Sequence, residues 1–445
     1  MTYSMIHRLY FLLCAFLLTT SLMSLRAQTE VRLRAETNTF TRVPVELKPC
    51  QPLKQATDKD ATRVLEILDN DLWMSSLIAS FRTDEQLAGN VSPWLEIASL
   101  GPAGPFRLVV QSTVTIENDR LMLQAELKDG RGLTVLDKKE YRGCKDNLRL
   151  MVHSLADDIV VLLTGEKGIA QSQIVFTGQT GTSKELFVMD YDGTNVRQLT
   201  NNGSLNLTPA WSPNGRAIVL TSYVKGTPQL HFQDIQSRKF VRQVDLTGLQ
   251  SAATWSPDGT QIAFASTHEG NSEIYVMDAN GRSIRRLTHH WSIDSSPSWS
   301  PNSRQIVFTS DRLGGPQLFV MDAEGTNLRR LTLEGNYNDS AAWSPRGDKI
   351  VYVSRVDGRF NLISIDISGE NAVQLTANEG SNEDPCWSPD GFRIVFSSTR
   401  GGSSDIYSME WNGDNLRRLT YRGTCTSPAW SNNVRLRDDF ECNGS

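Results

Sequence analysis

Apolar positions in this chain recur at one long interval. Isoleucine stands at Ile174, Ile218, Ile262, Ile306, Ile350 and Ile394, every 44 residues. Tryptophan keeps step at Trp211, Trp255, Trp299, Trp343, Trp387 and Trp430, the final gap being 43. Within one repeat, Gln305–Phe308, Gln317–Asp322 and Asn327–Thr332 are short runs rich in β-branched and aromatic residues, parted by Gly, Asn, Asp and Pro. That is the pattern of strands and turns, four short strands to a repeat. Self-similarity at this period predicts a β-propeller, whose blades of about 40–50 residues cannot bury their faces alone.

The ends of the series predict how the ring closes. Ile174 has no tryptophan strand before it, and Trp430 has no isoleucine strand after it. The Trp430 strand should therefore complete the blade begun at Ile174, giving six blades, five continuous and one shared. Such a blade also hides two sheet edges. Asp192-Gly193, Asn280-Gly281, Glu324-Gly325 and Asn412-Gly413 each join two strand-like runs, where glycine supplies the positive φ of a tight hairpin. Asp258-Gly259 and Asp390-Gly391 do the same after Trp-Ser-Pro. The tryptophans are expected to fill the wedge between neighbouring blades.

Upstream of the ring the period is lost. Residues 1–27 carry His7 and Arg8, an apolar stretch from Leu9 to Leu25, then Arg26-Ala27. This reads as a secretory signal peptide cleaved near Ala27, with an uncleaved anchor as the alternative. Residues 28–168 alternate helix and strand patterns. Ala61, Val64, Leu65, Leu68 and Leu72 share one helical face, and Leu148, Met151, Val152, Leu155, Ile159 and Leu162 share another, with Gly165 placed as its C-terminal cap. Between them Val109–Ile116, Leu121–Leu127 and Leu133–Tyr141 alternate like a small antiparallel sheet. The expected organisation is thus 1–27 signal peptide, 28–168 N-terminal α/β domain, 169–434 six-bladed all-β propeller and 435–445 tail.

Composition narrows function only slightly. The formal net charge is −5 with both signs dispersed, which offers no basic stripe for nucleic acid. The pairs Arg285-Arg286, Arg329-Arg330 and Arg417-Arg418 recur at one outer-strand position and are expected on a solvated face rather than a phosphate track. Of six cysteines, Cys14 falls in the leader, leaving Cys50, Cys144, Cys386, Cys425 and Cys442. In an exported protein these can pair: Cys50 with Cys144 is the first pairing to test, and Cys425 with Cys442 could tether the tail, leaving Cys386 buried beside Trp387.

Catalytic chemistry is hard to find. No Gly-x-Ser-x-Gly elbow, His-Glu-x-x-His helix, phosphate loop or paired-cysteine zinc site is present. His289 and His290 are adjacent, but neighbours on an extended chain point to opposite sides. Asp190-x-Asp192-Gly193 opens like a calcium loop yet lacks the downstream glutamate. No catalytic residue, cofactor or metal is expected. The candidate site is instead a surface: the polar connections that precede the tryptophan strands, 202–208, 248–251, 289–296, 334–340, 378–384 and 422–427, gathered at one mouth of the ring.

These residues carry a resemblance. The signal peptide, the α/β domain of about 140 residues, the junction Leu163-Thr164-Gly165-Glu166-Lys167-Gly168-Ile169-Ala170, and repeats bearing Trp-Ser-Pro-Asp-Gly and Val-Met-Asp resemble the TolB family, periplasmic propellers of the Tol-Pal system. Leu68-Asp69-Asn70-Asp71-Leu72 before Ser75-Ser76 is similar to the helix ending of that family, and Glu30, Val31, Arg32 and Leu33 to its mature N-terminal strand. The resemblance implies a periplasmic, non-enzymatic monomer that touches the membrane only through partners. Those partners would be the peptidoglycan-associated lipoprotein Pal at the mouth, at or near Asn206, Gln250, Asp294, Ser295, Asn338, Asn382, Glu383 and Thr426, and a TolA-like inner-membrane protein on the arm Glu30–Leu33. It implies a role in outer-membrane integrity and in constriction during cell division. The alternative is an exported propeller binding or processing a small ligand in its channel. The second repeat departs from the pattern at Gln233–Arg238, as does the tail ending beyond Cys442.

Overall fold

The computed structural model describes residues 42–83 and 107–432, all within one compact unit. The expected signal peptide, the arm Glu30–Leu33 and the tail 435–445 lie outside the described residues.

The first part packs two helices on one sheet. Strands β1 (Val43–Leu47) and β2 (Gln51–Lys54) precede helix α1 (Asp58–Met74) and β3 (Ile78–Arg82). Then come β4 (Leu108–Glu117), β5 (Arg120–Asp129), β6 (Val135–Cys144) and helix α2 (Leu148–Thr164). The sheet runs β3-β1-β4-β5-β6, with β2 also beside β4. The β4–β6 meander is antiparallel, as its alternation predicts, whereas β1 joins β3 and β4 in parallel. Thr57 and Asp60 form a capping box that starts α1, satisfying two otherwise orphaned amides. Gly165, at φ +74°, ends α2. Leu162 lies on the outer side of α2 rather than in its buried face. The face turns towards Asp157, whose carboxylate accepts from Ala170 N at 2.9 Å and from Gln171 Nε2 at 3.0 Å. That contact folds the junction back against the helix.

The second part is the ring. Five four-stranded sheets follow chain order, and a sixth joins Cys425–Trp430 to Gln173–Thr180, Ser183–Asp190 and Arg197–Gln198, with Trp430 opposite Ile174. The first strands of successive blades, Asn206–Trp211, Gln250–Trp255, Asp294–Trp299, Asn338–Trp343, Asn382–Trp387 and Cys425–Trp430, touch in a closed circle and so line the axis. All six ladder isoleucines are 0% exposed. The tryptophans do pack between blades: Trp211 sits among Val175, Leu186 and Val188 of the preceding blade, and Trp387 Nε1 donates to Ala342 O, one blade back, at 3.0 Å. The hairpin glycines also serve the blade contact. A Cβ on Gly193 (φ +91°) would lie 2.7 Å from Leu419 O of the neighbouring blade, so a side chain there is barred by φ and by space together.

The two parts share a core. Leu68, Leu72, Met151 and Leu155 cluster with Ile174, Met189, Tyr191 and Leu419. Among the described residues no helix is long and apolar enough to cross a membrane.

The cysteines depart from the expected pairings. Cys144 is disulfide-bonded, whereas Cys50, Cys386 and Cys425 are free thiols. Cys50 lies inside the sheet against Ser112 and Val114 of β4, while Cys144 ends β6, two strands away. Two strand spacings are about 10 Å, beyond disulfide reach. Cys425 is buried within the closing blade, and so does not tie down Cys442.

Candidate partner-binding mouth

The mouth is formed where the six inner strands begin. Asn206, Gln250, Asp294, Asn338 and Asn382 each open one of these strands, and all are at most 1% exposed. Their side chains are occupied within the fold. Asn206 donates from Nδ2 to Glu185 Oε2 at 2.9 Å and accepts from Ser222 Oγ at 2.8 Å. Asn382 Oδ1 accepts from Ser398 Oγ and Arg400 Nη2, both at 2.8 Å. Asn338 donates to Gln317 Oε1 at 3.0 Å and Glu334 O at 2.8 Å. Gln250 accepts from Leu230 N at 3.2 Å, and Arg312 Nη2 reaches Asp294 at 2.9 Å. Of the eight expected mouth residues, these five staple strands and loops together; Ser295, Glu383 and Thr426 reach solvent.

One residue further on, every inner strand bulges. Pairing slips in each blade, as between Asp294–Trp299 and Gln305–Ser310 after Ser295. Thr208, Ala252, Ser296, Ser340, Asp384 and Ser427 hold positive φ, from +44° to +54°. A bulge re-aims side chains and ends regular pairing, and here it does so six times around one axis. Two adjacent blades place Asp339, Glu383 and Asp384 in this layer. Ser427 N donates to Asp384 Oδ2 at 2.9 Å and Thr309 Oγ1 to Asp339 Oδ1 at 2.7 Å. Burial and the neighbouring Asp384 push the Glu383 carboxyl up.

The connections around the mouth carry exposed apolar side chains that the polar loop pattern did not foretell. Leu205, Leu249, Trp291, Ile293, Leu333 and Tyr421 are all exposed, Trp291 at 81%. Exposed apolar residues are ordinary one by one; here two large aromatic side chains, Trp291 and Tyr421, stand among the six at this end of the ring.

Buried carboxylates hold the loops in place. Glu185 accepts from Asn202 N at 3.1 Å and Gly203 N at 2.9 Å. Glu273 accepts from His290 N at 2.8 Å, and Asp405 from Arg422 N at 3.1 Å and Gly423 N at 3.2 Å. The second arginine of each outer-strand pair joins this work, contrary to a merely solvated face. Arg286 and Arg418 donate from Nε to Thr288 O at 2.7 Å and Thr420 O at 2.8 Å, and Arg330 does likewise to Thr332 O. Arg286 and Arg418 also pair with Glu273 and Asp405, at 2.6 and 2.7 Å.

Elsewhere, the Asp190-x-Asp192 turn is filled by a cation of the protein itself. Arg149 of α2 pairs with Asp192 and lies 3.5 Å from Asp190. Burial opposes ionisation of Asp192, yet Arg149 and Thr194 hold its carboxyl below the ordinary value. His290 Nδ1 accepts from Ser292 N at 3.2 Å. No group of three or more His, Cys, Asp or Glu among the described residues is arranged to hold a metal ion.

With the ring and its mouth established, the chain can be set beside known proteins. The family model of the TolB beta propeller domain matches residues 160–434. The chain belongs to that family. A "Protein TolB homolog" of Chlorobium chlorochromatii is 43% identical over 108 residues, 24% of each chain. A "Tol-Pal system protein TolB" of Roseobacter denitrificans is 34% identical over 187 residues, 41% of this chain and 40% of that one. The chain thus matches between a quarter and two-fifths of the length of these curated relatives. The crystal structure of TolB from Acinetobacter baumannii superposes with a TM-score of 0.72 at 23% identity, covering 88% of this chain and 97% of that one. At that identity the likeness speaks for the fold, in which an N-terminal α/β part precedes the six-bladed TolB propeller.

Proposed function

We propose that this protein is a non-enzymatic adaptor of the bacterial envelope, working in the periplasm as a member of the Tol-Pal system. Its mouth receives a peptidoglycan-associated lipoprotein of the Pal type. The arm Glu30–Leu33 engages an inner-membrane, TolA-like protein, an extended segment being suited to strand addition. Holding the lipoprotein at the mouth removes it from the wall, so the adaptor couples the inner membrane to outer-membrane anchoring during constriction. If both ligands bias one equilibrium, arm and mouth influence each other reciprocally.

The observation that carries this reading is the mouth: six bulged strand starts on a rigid ring, rimmed by Trp291, Ile293, Leu333 and Tyr421 and bearing Glu383 and Asp339. Apolar anchors beside a few fixed polar groups make a surface for a protein loop. Family membership supports the choice of partner.

The test is a pull-down from an envelope extract with residues 28–445, beside a form lacking residues 28–36. Recovery of a peptidoglycan-binding lipoprotein, in an amount altered by loss of the arm, supports the adaptor. Recovery of none by either folded form directs attention to the channel as a small-ligand site.

A further inference from the structure

We propose that the seam between the closing blade and the blade that follows it, residues 206–243, is an acid-sensitive joint at which the ring opens. In the other five blades, the residues three and one before the end of the third strand turn apolar side chains to the preceding blade. Tyr275 and Met277 pack on Leu230 and Phe232 in this way, and Phe319 and Met321 on Ile274 and Val276. In Gln229–Asp234 those two places hold His231 and Gln233.

Both are buried, at 4% and 1% exposure. They stand opposite Leu220 and Ile218 of the adjoining strand, whose side chains pack on Leu186, Val188 and Leu199 of the closing blade. Neither His231 Nε2 nor Gln233 Nε2 meets a hydrogen-bond partner among the described residues. A buried polar atom left unpaired favours any state in which water reaches it, so this seam opens more readily than its apolar counterparts. The hairpin adds a second difference. Gly193, Gly325, Gly369 and Gly413 approach the preceding blade so closely that a Cβ would lie within 2.9 Å of a leucine carbonyl oxygen. Ser237 takes the glycine's place in residues 206–243, and its hairpin cannot close as tightly.

Acid acts through His231. The closing blade presents the apolar Leu186, Val188 and Leu199 to this side. Its own blade presents Leu220 and Gln243 in register and the ring of Phe240 at 4.9 Å. The charged group that acts on it is Lys225, of the same sign as an imidazolium; burial and Lys225 push the imidazole below its ordinary value of 6.5. The closed seam thus binds the proton less tightly than an open one. Closure is fully favoured above about pH 6.5 and weakens as pH falls below it. The chain crosses this seam through residues 199–205 at the mouth, where Glu185 holds the Asn202 and Gly203 amides, so opening is felt at that rim.

Val188 and Val320 hold the same strand position at two seams and are buried alike. In the test, Val188→Cys and Val320→Cys, each in the full chain, are exposed to a small alkylating reagent, and labelling is read at the introduced thiol by peptide mass spectrometry. At about pH 7, Val188→Cys should react at least about tenfold faster, the margin that an unpaired buried group provides. The ratio of the two rates cancels the pH dependence of the thiol itself, and it should rise several-fold on going to about pH 5.5. His231→Phe with Gln233→Met should bring the ratio close to one at both pH values. Equal rates for the two cysteines, a ratio that does not change with pH, or a fast Val188→Cys left fast by the double change would each overturn the proposal. The first two outcomes do not depend on the double change folding.

Discussion

The hydroxyl of Tyr191, in the turn between Ser183–Asp190 and Arg197–Gln198 of the ring, donates a 2.6 Å hydrogen bond to the carboxylate of Asp71 in α1. The other oxygen of Asp71 meets His153 Nδ1 of α2, also at 2.6 Å. All three side chains are at most 2% exposed. Arg393, wholly buried, adds a second link by donating to Ser76 Oγ at 3.2 Å, and Arg417 Nη1 a third by donating to Asn70 Oδ1 at 2.6 Å. The junction of α/β part and ring therefore buries a polar network, Tyr191, Asp71, His153 and Arg393, beside its apolar core, and its members are fixed in position by the cost of leaving them unpaired.

Removing one partner should show that cost. Tyr191→Phe should destabilise by about 1–2 kcal/mol, and Asp71→Ala, which strands His153 and Tyr191, by about 3–5 kcal/mol. Urea unfolding of the single and double variants measures both values. A double loss well below the sum confirms that the two residues act on each other; strict additivity contradicts the contact.

Asp390 predicts a pH dependence. Burial pushes its carboxyl up to about 6, against an ordinary value of 3.8. The folded state thus binds the proton more tightly than the unfolded chain, and stability falls as pH rises from about 4 to about 6. Asn214 and Asn302 hold the equivalent turn position and accept from the equivalent serine hydroxyls, Ser212 Oγ at 2.8 Å and Ser300 Oγ at 2.7 Å. Asp390→Asn should therefore raise stability at pH 7 by about 1–2 kcal/mol, reduced by the solvent-facing edge of the residue, and the gain should vanish below about pH 4. Thermal unfolding at pH 4, 5, 6 and 7 measures it.

Two mouth residues that look alike in sequence should behave differently. The Glu383 side chain reaches solvent although its carboxyl is crowded by the mouth walls and Asp384, so Glu383→Ala should change stability by less than about 0.5 kcal/mol while weakening partner binding. Asn338 is buried and bonded to Gln317 and Glu334, so Asn338→Ala should cost about 1–3 kcal/mol. Calorimetric unfolding of each variant separates the cases.

The loop clamps give a graded prediction. Glutamine stands naturally at Gln229 and Gln317 where Glu185 and Glu273 stand in other blades. Glu185→Gln should therefore stay within about 1 kcal/mol of the parent, whereas Glu185→Ala, which orphans the Asn202 and Gly203 amides, should lose about 2–3 kcal/mol. Amide exchange at Gly203 should quicken in the alanine form alone.

The period of the chain made the ring legible, because each blade must meet the next in the same way. Ile174 to Ile394 are buried by that requirement, and the closing blade follows from where the two ladders stop. The same logic was readable at the mouth. Asn206, Gln250, Asp294, Asn338 and Asn382 also recur every 44 residues, and strict recurrence of a polar residue points to a bond made in every blade. Their place beside loops suggested solvent instead. No alternating pattern marks the parallel strands β1 and β2, which are short and contain Pro44 and Pro52. Arg149 and Asp192 are 43 residues apart, and no local pattern announces such a pair. Trp291 and Tyr421 do not recur from blade to blade, so periodicity could not single them out.

The most direct test of the adaptor reading is a calorimetric titration of residues 28–445 with the lipid-free, peptidoglycan-associated lipoprotein of the same cell. The parent should bind at a ratio of one to one. The double variant Trp291→Ala/Glu383→Ala should bind at least about tenfold more weakly with its unfolding unchanged, the loss expected when an exposed aromatic anchor and a fixed charge are removed together. Equal affinity for parent and double variant would show that the mouth is not where the partner binds.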